Sequence, residues 1–143
     1  MKILLDTNVI IDALQSRTPW AADAQNIFLR VAMNEFAGFI TTKSVADIHY
    51  IMHHYLHDEQ KTRDALHKLF ELFDLLDTRA IDCKKALLSS TTDYDDAIMI
   101  ETAVRSAVDC IITRNPHDFT QSTIRIFTPS AFLRAFPPGK RKA

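Results

Sequence analysis

Short apolar runs alternate with segments of helical period along this chain, and this alternation constrains the fold more than any other feature. Continuous apolar runs are typical of strands covered on both faces, whereas apolar residues repeated every three or four positions indicate amphipathic helices. Because parallel neighbouring strands need a crossover connection, the alternation predicts an α/β fold with a mainly parallel central sheet flanked by helices on both faces. Strands are predicted over residues 3–5, 39–41, 75–76, 110–113 and 124–127, and helices over 8–14, 19–36, 42–56, 59–73, 81–88, 94–107 and 129–136.

Composition narrows the class of protein. The 143 residues are 47% hydrophobic and 24% charged, as in ordinary soluble globular proteins, and they suffice for one closed core. The net charge of −1 gives no overall basic field, so a phosphate-bearing partner would have to be held locally or through bound cations. Cys83 and Cys110 lack CxxC spacing, which favours a reducing compartment. Because no apolar stretch is long enough for a signal peptide or a membrane span, we expect a cytoplasmic protein without a membrane partner.

One domain, residues 1–136, is expected to precede a short tail, residues 137–143. The tail contains two prolines, a glycine and three basic residues, which predicts a flexible basic segment. Within the domain, Gly38 is expected to break the pattern before the second strand. Two interpretations, contact with RNA phosphate and plain solvation, stay open for six basic residues: Arg17, Lys43, Arg114, Lys140, Arg141 and Lys142.

Acidic residues recur near the ends of the predicted strands. Ligands of open parallel sheets collect outside the carboxyl ends of the strands, so side chains placed there are candidates for one site. Clustered carboxylates repel each other unless protons or cations offset their charge. The candidates are Asp6 after the first strand, Asp47 in the helix after the second, Asp93, Asp95 and Asp96 at the start of a later helix, and Asn115 and Asp118 after the strand over 110–113.

Such a cluster offers the hard oxygen ligands that Mg²⁺ and Mn²⁺ prefer. Divalent ions activate an attacking water and neutralise the leaving oxygen in phosphodiester cleavage. A purely structural alternative exists, because the segments from Ser44 to Asp47 and from Asp93 to Asp96 also match helix-capping patterns. The repeated placement of acids after successive strands favours the metal site.

Four segments together resemble the ordered signature of PIN-domain proteins, in particular the VapC-type ribonuclease toxins: LLDTNVIIDAL, ITTKSVADI, DYDDAIMIETA and CIITRNPHDF. The resemblance covers nearly the whole chain and implies a single PIN-like domain. It makes Asp6, Asp47 and Asp96 catalytic residues and metal ligands, with Asp118 or Asn115 completing the metal site. In the same resemblance, Thr7, Asn8 and Thr113 support the site.

The resemblance implies a Mg²⁺- or Mn²⁺-dependent endoribonuclease, the toxin of a type II toxin–antitoxin pair. RNA substrate, a cognate antitoxin protein and a homodimer follow as expected partners. Two departures from the family pattern stand out, since Asp47 occupies a position that is usually Glu and Asn115 one that is commonly Asp. Asp118 is a candidate for the missing charge. Asn115 also keeps open the alternative of a catalytically weak or inactive PIN-like binding or regulatory module.

Other chemistries have weaker support. His49, His53 and His57 recur every four residues on one predicted helix, a spacing at which two of them could bind Zn²⁺ or Ni²⁺. Imidazoles more often lie on an ordinary polar or half-buried helix face, which is the favoured interpretation. Aspartyl-phosphate chemistry at Asp6 would need a second acid where Asn8 stands. With two glycines in the chain, a glycine-rich phosphate loop is excluded. Five further acids are expected to be solvated surface charges: Asp12, Asp23, Asp58, Asp64 and Asp74.

Overall fold

The computed structural model describes residues 1–119 and 122–139 and contains a five-stranded, entirely parallel sheet. The strand order β3-β2-β1-β4-β5 places the first strand at the centre. The strands are β1 Lys2–Leu5, β2 Ala37–Thr41, β3 Asp74–Leu76, β4 Cys110–Ile112 and β5 Arg125–Phe127. The helices are α1 Thr7–Leu14, α2 Ala21–Ala32, α3 Thr42–Leu56, α4 Glu59–Leu72, α5 Ala80–Ala86, α6 Tyr94–Arg105 and α7 Pro129–Ala135. The predicted α/β architecture is therefore confirmed.

Helices cover both faces of the sheet because alternate residues of β1 point to opposite sides. Ile3 and Leu5 belong to a large cluster with apolar residues of α1, α2, α3, α4 and α7. Leu4 belongs to a second cluster, in which Met99 and Ile100 of α6 pack against the other face. All three β1 residues are fully buried, as expected of the central strand. This two-sided burial fixes the direction in which β1 delivers the chain to Asp6.

Gly38 lies inside β2, and the expected break in the pattern before that strand is wrong. A Cβ atom on Gly38 would come within 2.6 Å of Phe73 Cδ1 and 2.9 Å of Val31 Cγ1. Atoms do not approach this closely, so a side chain here would push apart β2 and the segments that cover it. Glycine serves close packing at this position and not a turn.

The N-terminal cap of α6 is the one expected from the sequence, whereas the cap of α3 is a different residue. Thr41, not Ser44, caps α3, because the Thr41 side chain accepts a hydrogen bond from the backbone N–H of Ser44. The capping interpretation of Asp47 is therefore wrong. Asp93 caps α6 by accepting a hydrogen bond from the backbone N–H of Asp96.

The C-terminal part of the chain contains an unpredicted 3₁₀ turn, Pro116–Phe119, between β4 and β5. Lys140, Arg141 and Lys142 of the predicted basic tail lie outside the described residues. No helix among the described residues is both long enough and apolar enough to span a bilayer.

Candidate functional site

An acidic crevice of about 320 Å³ lies at the carboxyl ends of β1 and β4, where ligands of parallel sheets collect. It contains seven of the residues singled out from the sequence, together with two apolar side chains and one guanidinium. The lining residues are Asp6, Thr7, Asn8, Ile11, Arg17, Ile51, Asp93, Asp96, Asn115 and Asp118.

Asp6 is fixed by two hydrogen bonds. As the N-cap of α1, its carboxylate accepts from the backbone N–H of Thr7 at 2.8 Å. The Thr113 hydroxyl donates to the other carboxylate oxygen at 2.8 Å and accepts the backbone N–H of Asn115 at 3.2 Å. Burial raises the pKa of Asp6, an effect that the hydrogen bonds and the nearby Lys43 ammonium oppose. Thr113 thus ties the first acid of the crevice to the loop after β4.

Asp96 lies in the first turn of α6. Because Asp93 serves as the helix cap, the Asp96 carboxylate is left to face the crevice. Burial, together with the negative charges of Asp6, Asp93, Asp118 and Asp95, raises the pKa of Asp96 to about 7. A carboxylate that is ionised only at such cost is one that a bound cation would stabilise.

Asn115 and Asp118 reach the crevice from the loop after β4, and both are exposed. The loop is anchored by the buried Phe119, which packs against the α6 face of the sheet. It is also held to α1, since the Asn8 side-chain oxygen accepts the backbone N–H of Arg114 at 3.3 Å. Asn8 and Thr113 therefore brace the same loop from two sides.

Asp47 is not among the residues that line the crevice, and 54% of its side chain is exposed. Its carboxylate lies 3.5 Å from the Lys43 ammonium, which also lies 3.2 Å from an Asp95 oxygen. Ile51, one helical turn beyond Asp47, does line the crevice. The structure thus brings Asp6, Asp96, Asp118 and Asn115 together, whereas Asp47 lies outside the lining of the crevice and pairs with Lys43.

A buried ion pair next to the crevice was missed by sequence reasoning. Asp12, expected to be a solvated charge, is 1% exposed, and its carboxylate lies 3.2 Å from Nε of Arg114. The Arg114 guanidinium also stacks on the Trp20 ring, 3.9 Å from its centroid. The signal for burial was present in the sequence, because Asp12 stands within an apolar run between Ile11 and Ala13.

The three histidines of α3 have other partners. His49 and His53 both lie beside the Glu59 carboxylate, at 2.9 and 3.5 Å, and their rings stack on each other. His57 ends the helix in a left-handed conformation. Within residues 1–119 and 122–139, no three His, Cys, Asp or Glu side chains form a ready-made metal site. The acids of the crevice accordingly form an open cluster.

The PIN domain family matches residues 2–117 of the chain. The chain belongs to the PIN domain family. The matched range of this PIN domain runs from β1 to the loop that carries Asn115, so it includes most of the crevice. No curated protein gives a significant match.

Solved structures with the same fold come from toxin–antitoxin systems. VapBC-1 from nontypeable Haemophilus influenzae is 16% identical with a TM-score of 0.69, and the match covers 91% of this chain and 99% of that chain. A toxin–antitoxin complex from Klebsiella pneumoniae is 23% identical with a TM-score of 0.65, over 89% and 97%. FitAcB from Neisseria gonorrhoeae is 21% identical with a TM-score of 0.64, over 90% and 98%. The similarity establishes a shared fold over nearly the full length of this PIN domain.

Proposed function

We propose that this PIN domain is a Mg²⁺- or Mn²⁺-dependent endoribonuclease. The observation that carries the proposal is the shared crevice of Asp6, Asp96 and Asp118, in which burial and mutual repulsion raise the pKa of Asp96 to about 7. Such a cluster costs stability in the absence of a cation, and ion binding is the function that these clustered charges support best.

The side chains present fit a hard divalent cation. Carboxylate and amide oxygens are the donors that Mg²⁺ and Mn²⁺ prefer, and the crevice supplies them from Asp6, Asp96, Asp118 and Asn115. Asp47, which the resemblance also implies as a ligand, is not among these lining residues. When bound, such an ion activates water and stabilises charge on the leaving oxygen of a phosphodiester.

The protein's own groups orient these acids. Thr113 and the backbone N–H of Thr7 hold the Asp6 carboxylate in one orientation, so that no rearrangement is needed when a cation arrives. Asn8 holds the loop after β4 that carries Asn115 and Asp118. Arg17 lines the same crevice and offers a cation to a substrate phosphate.

The biological setting that we propose is a type II toxin–antitoxin pair. Support comes from the shared fold with chains of VapBC, FitAcB and another toxin–antitoxin complex. RNA is then the substrate, a cognate antitoxin the partner, and a homodimer the assembly. Adjacency of the gene to a small reading frame for a DNA-binding protein would support this setting.

A second candidate, a PIN-like binding or regulatory module without useful nuclease activity, is favoured by two observations. Asn115 supplies a neutral amide at the position where family members commonly have an acid, and Asp47 is exposed and paired with Lys43 outside the crevice. Both would weaken cation binding. The two candidates differ in one measurable property, which is metal-dependent cleavage.

The deciding experiment incubates the purified protein with defined RNAs in Mg²⁺, in Mn²⁺ and in EDTA. We expect cleavage with either ion, none in EDTA, and a loss of at least about a hundredfold in Asp6→Asn, as for removal of a group that acts on the reacting centre. Asp74→Asn, an exposed acid on β3, is the matched control and should cleave like the parent. RNA binding without cleavage under all conditions would favour the binding module instead.

A further inference from the structure

A second depression continues from the acidic crevice along the exposed face of α3. We call it the aromatic groove and define it by Gln15, Arg17, Tyr50, His54, Tyr55 and His57. Its volume is about 400 Å³. Arg17 and Ile51 line both the aromatic groove and the crevice, so the two form one continuous surface.

The groove presents planar rings to solvent. Tyr50 is 70% exposed and Tyr55 58%, although large aromatic side chains are usually buried. The Tyr50 and His54 rings stack with centroids 6.1 Å apart and planes 18° apart, and the His57 ring continues the row at 5.9 Å from His54. Tyr50 and His54 thus expose two nearly parallel rings, and the His57 ring is tilted by 49° to that of His54. Exposed rings of this kind are a suitable surface for stacking unpaired bases.

The charge of the groove suits an anionic ligand. No carboxylate is among its lining residues, in contrast to the neighbouring crevice. Arg17 lies at the junction, where its Nε donates to the Gln15 side-chain oxygen at 3.1 Å. Within residues 1–119 and 122–139, Arg17 makes no salt bridge to a carboxylate. Its guanidinium is thus oriented at the boundary between the rings and the crevice.

We infer that the aromatic groove binds an unpaired stretch of RNA next to the phosphodiester in the crevice. Bases stack on Tyr50 and His54, and Arg17 contacts a phosphate where the strand passes into the crevice. The inference rests on the proposed nuclease function and assigns to the aromatic groove the contacts with bases on one side of the cleaved bond. RNA is favoured over a protein partner because the groove combines stacking rings, a guanidinium and the absence of acids with direct continuity to the crevice.

The test measures binding of a short fluorescein-labelled unpaired RNA by anisotropy. Asp96→Asn in EDTA serves as the background, so that no RNA is cut and the crevice has one carboxylate fewer. In that background, Tyr50→Ala should weaken binding about tenfold through loss of one stacked base, whereas Tyr50→Phe should retain it. Phe70→Ala, which removes an exposed ring of α4 outside the groove, should bind like the background.

Salt dependence separates stacking from charge. Arg17→Gln should reduce the slope of log Kd against log salt by about 0.7, the value for one phosphate contact on a single strand, and Tyr50→Ala should leave the slope unchanged. A fully paired RNA of the same length should bind more weakly than the unpaired RNA, and Tyr50→Ala should not alter its affinity.

Three outcomes overturn the inference. One is unchanged RNA affinity in Tyr50→Ala. Another is failure of the Asp96→Asn background to bind RNA. The third is loss of binding that coincides with a change in solution mass, measured by light scattering. Such a change would make the groove an interface between copies of the chain. The parent's cleavage assay in Mn²⁺ is read separately. If the parent cleaves RNA and Tyr50→Ala binds RNA as tightly as the background does, only the groove inference is rejected. If Tyr50→Ala weakens binding and the parent does not cleave RNA, only the proposed nuclease function is rejected.

Discussion

At the scale of single residues, the aspartates of the crevice differ in what their carboxylates do. Asp6 both caps α1 and faces the crevice, with its orientation set by Thr113. On α6 these tasks are divided, because Asp93 caps the helix and leaves the Asp96 carboxylate without that function. Asp96 therefore has the environment most disturbed by its neighbours and is the residue whose substitution is most informative.

Replacing Asp96 by Asn should stabilise the metal-free protein in a pH-dependent way. Folding raises the pKa of this carboxyl from its ordinary value of 3.8 to about 7, so the folded state binds the proton more tightly than the unfolded state. Stability is therefore lost as the pH rises from about 4 to about 7, and the variant escapes this loss. Thermal melting in EDTA should show a larger gain in Tm for Asp96→Asn at about pH 8 than at about pH 5.

Cleavage by the same Asp96→Asn variant should be abolished, so function and stability move in opposite directions. Asp74→Asn, which alters an exposed acid far from the cluster, should change neither property. A lower Tm in Asp96→Asn at both pH values would contradict the repulsive cluster and show that the carboxylate mainly stabilises α6.

The loop after β4 offers a comparison of two neighbouring ligands. Asp118→Asn should weaken Mn²⁺ binding and cleavage severely, because it removes a charged oxygen donor for a hard dication. Asn115→Ala should cost less, since a neutral amide contributes little to holding such an ion. Mn²⁺ titration by calorimetry, with RNA cleavage followed in parallel, makes the comparison. If Asp118→Asn matches the parent in both measurements, Asp118 does not compensate for Asn115.

At the scale of elements, the crevice depends on how the helices are held against the sheet. The Arg114 guanidinium joins Asp12 of α1 to Trp20, which immediately precedes α2, and so connects two helices to the loop after β4. On the other side of β1, Gly38 lets Phe73 and Val31 approach the backbone of β2. The first contact is polar and holds the loop that carries Asn115 and Asp118, whereas the second is apolar and fixes segments that carry no candidate ligand.

Substituting Gly38 by Ala should destabilise the fold without altering the chemistry of the crevice. The added methyl group would overlap Phe73, and overpacking of this kind costs about 1–3 kcal/mol. The expected fall in Tm is several degrees in thermal melting. Gly139→Ala is a matched control, because a Cβ atom there meets no atom within 4 Å. An equal Tm for the two variants would mean that β2 and the segments that cover it can move apart to accommodate the methyl group without loss of stability.

At the scale of the whole molecule, the spacing of apolar residues along the sequence predicted most of the strands and helices. The bounds of α3 agree with the sequence pattern at both ends, and α1 and α4 differ from it by one residue. Local period carries no information on strand order, so the central position of β1 needed the three-dimensional structure. The same limit explains Asp12, whose partner Arg114 is distant in sequence, and Asp47, whose direction depends on how α3 packs.

Candidate ligands were easier to predict than their surroundings. Asp6, Asn115 and Asp118 could be selected because strand ends in a parallel sheet meet at one edge, whereas Asp96, at the start of a helix, was implied as a ligand by the resemblance to PIN-domain proteins. Tyr50 and Tyr55 were not selected, since tyrosines at helical spacing usually belong to a core. Only their exposure in the folded chain distinguishes them.

The central position of β1 also determines when the crevice can exist during protein synthesis. Asp6 is made before Thr113, the residue that orients it, which follows 107 positions later. At about 5–20 residues per second, the 112 positions from Asp6 to Asp118 take roughly 6–22 s to translate. Until β4 emerges, β1 lacks one of its two neighbours and the acids stay apart. The acids cannot act together during this interval, and an inhibitor that recognises the finished crevice has no target until the chain has been made as far as Asp118.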